Sequence, residues 1–353
     1  MAEETNLVLD AAQRIFQDLA DPQFILKCGT QDWRTPLWQA LDEMGLPHAW
    51  LPESLGGHGL SLADGFAVVH AAGRSALAVP LVETMIAGWI AGQAGLPLGA
   101  GAATVILAGS LAHVELDAAG HLRVQARGVP FAREVQSIVV VAGDPGACRV
   151  AVVPAGDCRI SAGLNLADDA SDSVQIDTKA QTWAKAPALS VDRALYLAAT
   201  CRALQIAGAL QAALDMSVAW AKERVAFEKP IAKFQAVQHN LARLAGEVAA
   251  ADASSQSAAA TVADVDVPAD ECLLEVASAK VRCGEAAETG AAIAHQVLGA
   301  IGFTQEHILH RFTLRMLSWR DDFGSEATWA KRLGEAVARG GSGAELWRLL
   351  STR

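Results

Sequence analysis

This chain of 353 residues predicts a mainly α fold with a small antiparallel β domain in its middle. Three observations carry that reading. Apolar residues recur at helical spacing in the first third and again in the second half. Between these stretches lie short β-type runs separated by Gly, Asp, Pro and Ser clusters. With 52% hydrophobic and 19% charged residues, the chain can bury a core in two or three packed regions rather than one. The pattern divides it into an N-terminal helical domain over 1–104, a middle β domain over 105–187 and a C-terminal helical bundle over 188–353.

The first region is helical because Phe24-Ile25-Leu26, Leu37, Leu41 and Met44, and the run Phe66 to Val69 keep helix-compatible spacing. It is broken by the turn-rich stretch Leu51-Pro52-Glu53-Ser54-Leu55-Gly56-Gly57-His58-Gly59, whose plain reading is an interhelical turn. The β-type runs are Thr104–Leu107, Leu122–Gln125, Ser137–Val141, Arg149–Val153 and Ser173–Ile176. From Ser190, a good N-cap, long helices return. Leu197, Cys201, Leu204 and Gly208 share one face, while Ala207, Leu210, Leu214 and Val218 share another, as expected of a helix in the middle of a bundle. Val237, Leu241, Leu244 and Val248 give the next stripe, and Pro268 sits near the start of a third helix with Leu274, Ala277 and Val281. Further helices start at His307 and near Glu326, which makes a four-helix bundle with a short extra helix.

A formal net charge of −11 without a basic stripe argues against nucleic acid. The six cysteines show no Cys-x-x-Cys spacing, and several sit in apolar helical patterns as small hydrophobes. The acidic start Met-Ala-Glu-Glu-Thr-Asn lacks the order of a secretory signal, so a cytoplasmic location is expected. Met85 to Pro97 and Leu195 to Leu214 are interrupted by Gly, Gln or Arg, and no membrane span is expected.

The stretch Arg224-Val-Ala-Phe-Glu-Lys-Pro-Ile-Ala-Lys-Phe-Gln-Ala-Val-Gln-His-Asn-Leu241 places an arginine, two phenylalanines and two glutamines in otherwise apolar surroundings. It resembles the flavin-contact segment of the acyl-CoA dehydrogenase family. Gln296-Val-Leu-Gly-Ala-Ile-Gly-Phe-Thr-Gln-Glu-His-Ile-Leu-His310 resembles that family's second dinucleotide-contacting turn in order and distance, and Pro52 to Gly59 resembles its Pro-Glu-x-x-Gly-Gly-x-Gly loop. The resemblance implies FAD shared across a subunit interface, with one chain holding the flavin ring and the neighbour's bundle holding the ADP moiety. Arg224 would then face the diphosphate or its ribose, Phe227 and Phe234 would line the cofactor groove, and Gln235 would lie at the adenine end. Gln296, Gly299 and Ala300 would form the turn along the diphosphate, and Ser325 would stand beside the cofactor. Glu228 and Ala300 depart from the family's glycines and add a negative charge and a methyl group near an anionic ligand.

The family's catalytic glutamate stands before a Gly-Thr pair, where this chain reads Asp321-Asp322-Phe323-Gly324-Ser325. The alternative position of that glutamate, on the first helix of the bundle, falls on Ala198 and Ala199. The Thr-Glu-Pro-Gly-x-Gly-Ser-Asp loop and the Trp-Ile-Thr run around the flavin ring are also missing; Ala108-Gly109-Ser110-Leu111-Ala112-His113 and Phe131-Ala132-Arg133-Glu134 keep only the frame. Each singled-out residue has a plainer reading as well: Arg224 in a surface ion pair, Phe227 and Phe234 in a core, Gln296 at a helix end. His307 and His310 with Glu306 have helical spacing but fall at a helix start, so no metal is expected.

The resemblance implies the smaller, catalytically degenerate subunit of a hetero-oligomeric acyl-CoA dehydrogenase of fatty acid or steroid side-chain catabolism. Its partner would be a catalytic subunit that binds acyl-CoA and passes electrons to an electron-transfer flavoprotein. Two alternatives stay open: a self-sufficient FAD enzyme using Asp322 as base, and a flavin-free scaffold.

Overall fold

The computed structural model describes residues 2–28, 32–109, 112–143, 147–340, 343, 344, 347 and 351, without the side chains of 2–6. Five helices open the chain: α1 (Ala2–Leu19), α2 (Pro22–Cys28), α3 (Arg34–Glu43), α4 (Leu62–Arg74) and α5 (Leu81–Gln93). Ser61 caps α4 by accepting from the Asp64 backbone N–H at 3.1 Å.

Two four-stranded sheets follow. One has the order β1 (Ala103–Leu107), β4 (Ser137–Ala142), β5 (Arg149–Pro154), β8 (Thr182–Lys185); the other runs β2 (Ala112–Leu116), β3 (His121–Pro130), β7 (Ser171–Lys179), β6 (Arg159–Ser161). Strand β4 reads Ile-Val-Val-Val because both of its faces are covered: Ile138 and Val140 join the core between the sheets, and Val139 and Val141 join the helical core. Strand β7 alternates, burying Asp172, Val174 and Ile176. The expectation of a purely antiparallel region needs one correction, because β1 and β4 pair in parallel, with Val105 opposite Val139. The hairpin β2–β3 belongs to the other sheet, so the chain crosses over between β1 and β4, and a crossover is what parallel neighbours require.

The bundle consists of α6 (Val191–Glu223), α7 (Gln235–Ala263), α8 (Leu273–Leu298) and α9 (Leu309–Trp319), with α10 (Glu326–Gly340) against α8. Ser190 caps α6, its hydroxyl accepting from the Arg193 backbone N–H at 3.0 Å. Helix α6 corrects the reading of Leu195 to Leu214. By length and composition it is apolar enough to cross a membrane, and 83% of its apolar window is buried inside the protein. From Tyr196 to Leu210 every residue of this helix is buried among α4, α7, α8 and α9, which leaves no solvent face there to be polar. The crossing with α4 is close enough that a Cβ on Gly208 would strike the His70 carbonyl and one on Gly73 would strike the Gln205 carbonyl.

Candidate functional site

The residues singled out in the sequence gather in two places. The first is one end of the bundle, which both α6 and α8 approach with their C-termini. Arg224 ends α6, its N–H donating to the Trp220 carbonyl at 2.8 Å. A two-residue hairpin follows, Val225–Ala226 against Lys229–Pro230, with Phe227 and Glu228 both at positive φ, +49° and +67°. This is the backbone a tight primed turn requires, and Glu228 adopts it without being glycine. Phe227 is 89% exposed, so the core reading fails for it. Its ring meets Phe234 edge-on at 6.2 Å, and Lys229 Nζ lies 4.6 Å above the Phe234 ring. Gln235 opens α7 and is exposed. The Arg224 side chain is exposed and has no ion-pair partner among the described residues.

The second sequence segment reaches the same end. Gln296 is exposed on the last turn of α8, Gly299 caps that helix with φ +70° and ψ −146°, and Ala300 is exposed beside it. Nothing lies within 4 Å of where a Gly299 side chain would stand. Below this turn His295 packs against Phe303 at 4.8 Å, and His307 meets Trp220 edge-on at 6.2 Å, joining the two connections. His310 Nδ1 lies 2.6 Å from the His307 carbonyl, so these imidazoles build the start of α9. Burial, together with the neighbouring His310, holds His295 and His307 below the ordinary histidine range.

The second place is the connection between α9 and α10. Ser325 lies at the N-terminus of α10, its hydroxyl 3.5 Å from the Thr328 N–H, and so belongs to this loop rather than to the end that carries Arg224. Phe323, which the sequence resemblance sets where the family's base would stand, has φ +57°. Its carbonyl accepts from Trp329 Nε1 at 3.1 Å, and the Arg202 guanidinium lies 5.5 Å from its ring centre. Asp322, the weak base candidate, accepts from Arg202 Nε at 2.9 Å. The same guanidinium donates to Glu83 at 2.5 Å and to the side-chain amide oxygen Oε1 of Gln205 at 2.5 Å. Burial works against charge on Arg202, but Glu83 and Asp322 outweigh it and keep the arginine protonated, while burial pushes the Glu83 carboxyl up despite that partner. Lys280, also buried, donates to the carbonyls of Trp319, Arg320 and Asp322, and burial pulls its ammonium down to about 8. Ala198 and Ala199 are fully buried one turn before Arg202.

Sequence reasoning missed the Glu83–Arg202–Asp322 group. The signal was present: Glu83 and Arg202 are charges inside helical stretches that are otherwise apolar, where an ion needs a buried partner.

Above Phe323 a cavity of about 730 Å³ opens between the β domain and the bundle, lined by Leu107, Ala108, Gly109, Leu195 and Trp329 among others. Ser110 and Leu111 lie outside the described residues. In Phe131–Glu134, Arg133 holds the buried carboxylate of Asp172 at 2.6 Å and Glu134 accepts from Arg34 at 2.9 Å, so this stretch fastens domains together. Its mostly apolar lining includes the carboxylates of Asp192, Asp321 and Asp322, the guanidiniums of Arg127 and Arg332, and the neutral polar groups of Asn165, Ser171 and Thr328. Three carboxylates face two guanidiniums in this lining, so no net positive charge awaits the phosphates of a flavin cofactor. The exposed guanidinium, amides and open glycine turn at the bundle end do suit an ADP diphosphate.

Comparison with known proteins agrees with this architecture. The family profile "Acyl-CoA dehydrogenase, C-terminal domain" matches residues 190–337. Acyl-CoA dehydrogenase FadE34 of Mycobacterium tuberculosis is 29% identical over 328 residues, covering 89% of this chain and 44% of its own length. The chain therefore spans less than half of FadE34. Acyl-CoA dehydrogenase FadE27 of the same organism is 28% identical over 339 residues, with 86% of this chain and 88% of FadE27 covered. The crystal structure of the ChsE4–ChsE5 complex from Mycobacterium tuberculosis superposes with a TM-score of 0.82 at 22% identity, over 96% of this chain and 98% of that one. Residues 190–337 thus carry the acyl-CoA dehydrogenase C-terminal domain, and over most of its length the chain is similar in sequence and fold to proteins of the acyl-CoA dehydrogenase family.

Proposed function

We propose that this chain is the non-catalytic subunit of a flavin-dependent acyl-CoA dehydrogenase and supplies the ADP half of an FAD site to a catalytic partner. Bound FAD would accept the hydride from Cβ of an acyl-CoA thioester, while a carboxylate removes the Cα proton. The positions at which the family's base would stand hold no free carboxylate. Phe323 stands in the base position, Ala198 and Ala199 in the alternative one, and Asp322 is tied to Arg202 at 2.9 Å. This last pairing is the observation that carries the proposal. What the chain does offer is anion recognition: Arg224, Gln296 and the Gly299 turn stand exposed at one end of the bundle, where a second subunit can bring a cofactor against them. That the ChsE4–ChsE5 structure is a complex of two differently named chains supports a hetero-oligomer as the working form. An electron-transfer flavoprotein is the acceptor we expect for the complex.

The test is turnover. The isolated chain should show negligible acyl-CoA dehydrogenation, and Phe323→Glu alone should not create it, because a base contributes only when ring and thioester are already held at reaction distance. Robust activity of either protein would end this reading and favour a self-sufficient enzyme.

A further inference from the structure

We propose that the cavity above Phe323 is a binding site of this chain itself for a neutral, largely hydrocarbon small molecule, taken up without a dinucleotide or any other phosphate-bearing group. The inference does not rest on the shared-flavin reading. A volume of about 730 Å³ lies within the usual span of small-molecule sites, about 300–1,000 Å³, and apolar side chains dominate its walls.

The walls are built rather than left over. A phenylalanine at positive φ is conformationally costly and persists only where its surroundings enforce it. Here Trp329 Nε1 holds its carbonyl, Lys280 holds the preceding carbonyl at 2.9 Å, and Arg202 backs its ring. The lips are Leu164 and Leu166, 61% and 64% exposed. Their loop is tightly organised. Asn165 Oδ1 accepts from the backbone N–H groups of Ala167 at 2.9 Å and Asp169 at 3.1 Å, and the Asp169 carboxylate is gripped by Arg315 at 2.7 Å. Two leucines held in water at the mouth of an apolar cavity gain by being covered with apolar atoms.

Charge excludes the alternatives. Of the two guanidiniums in the lining, Arg332 pairs with Asp192 at 2.6 Å. The other, Arg127, is matched in number by Asp321, while Asp322 is already neutralised by Arg202. No net positive charge awaits a diphosphate, and a neutral ligand meets no penalty.

The test uses the full chain and the neutral dye phenylnaphthylamine, whose emission rises on leaving water. One equivalent should bind, FAD should not displace it, and the anionic anilinonaphthalene sulfonate should bind at least about tenfold more weakly. Leu166→Asp, at an exposed position that does not threaten the fold, should weaken the neutral dye about tenfold, and Leu166→Met should restore it. Displacement by FAD, equal affinity for the anionic dye, or indifference to Leu166→Asp would each overturn the proposal.

Discussion

Arg202 Nε donates to the Asp322 carboxylate at 2.9 Å, and the same buried guanidinium donates to Glu83 at 2.5 Å. The carboxylate next to Phe323 in sequence is thereby tied to a buried arginine. The consequence is energetic: Arg202→Met should destabilise the chain by about 3–5 kcal/mol, because it strands buried carboxylates without a counter-charge. Adding Glu83→Gln and Asp322→Asn to that variant should recover part of the loss. Urea unfolding checks both, and a cost below about 1 kcal/mol for Arg202→Met would mean that the group is solvated.

The histidines under the Gly299 turn set a pH dependence. His295 and His307 are held below the ordinary value by burial, with His310 adding to it, so between their folded values and about 6.5 the unfolded chain binds more protons. Stability from this cluster is complete above about pH 6.5 and is lost as pH falls through that window. Amide exchange over Gly299–Phe303 should therefore speed up at about pH 5.5 relative to about pH 7.5 by more than in His307→Asn. Equal acceleration in both proteins would remove the histidines from the account.

The architecture was legible where local chemistry decides it. The Ser190 cap, the two-faced apolar pattern of α6 and the β-type runs all follow from spacing and propensity. The parallel pairing of β1 with β4 was not legible, since it depends on where an intervening hairpin docks. The same limit hid the centre of the site. Arg202 meets Glu83 and Asp322 across 119 and 120 positions of sequence, and nothing local to any of the three announces the others. The sequence resemblance singles out Phe323 by its neighbours Gly324 and Ser325, whereas its positive φ and its clamp by Trp329 and Lys280 emerge only from the fold.

At the bundle end, Gln296→Ala should lower FAD affinity of the reconstituted complex by the equivalent of about 0.5–1.5 kcal/mol, the net value of a neutral hydrogen bond. The melting temperature of the isolated chain should not move, because Gln296 is exposed and its side chain makes no hydrogen bond to another described residue. A drop in melting temperature without a change in FAD affinity would assign Gln296 to the fold.

The most direct measurement is FAD titration of this chain alone, of its complex with the catalytic subunit that co-purifies from the native host, and of the complex carrying Arg224→Ala. The account predicts little flavin on the isolated chain and tight flavin in the complex. It also predicts a roughly ten- to hundredfold loss of affinity on Arg224→Ala, from removal of a charge-assisted contact of about 1.5–3 kcal/mol. Stoichiometric flavin on the isolated chain, or a complex whose FAD affinity ignores Arg224→Ala, would contradict it.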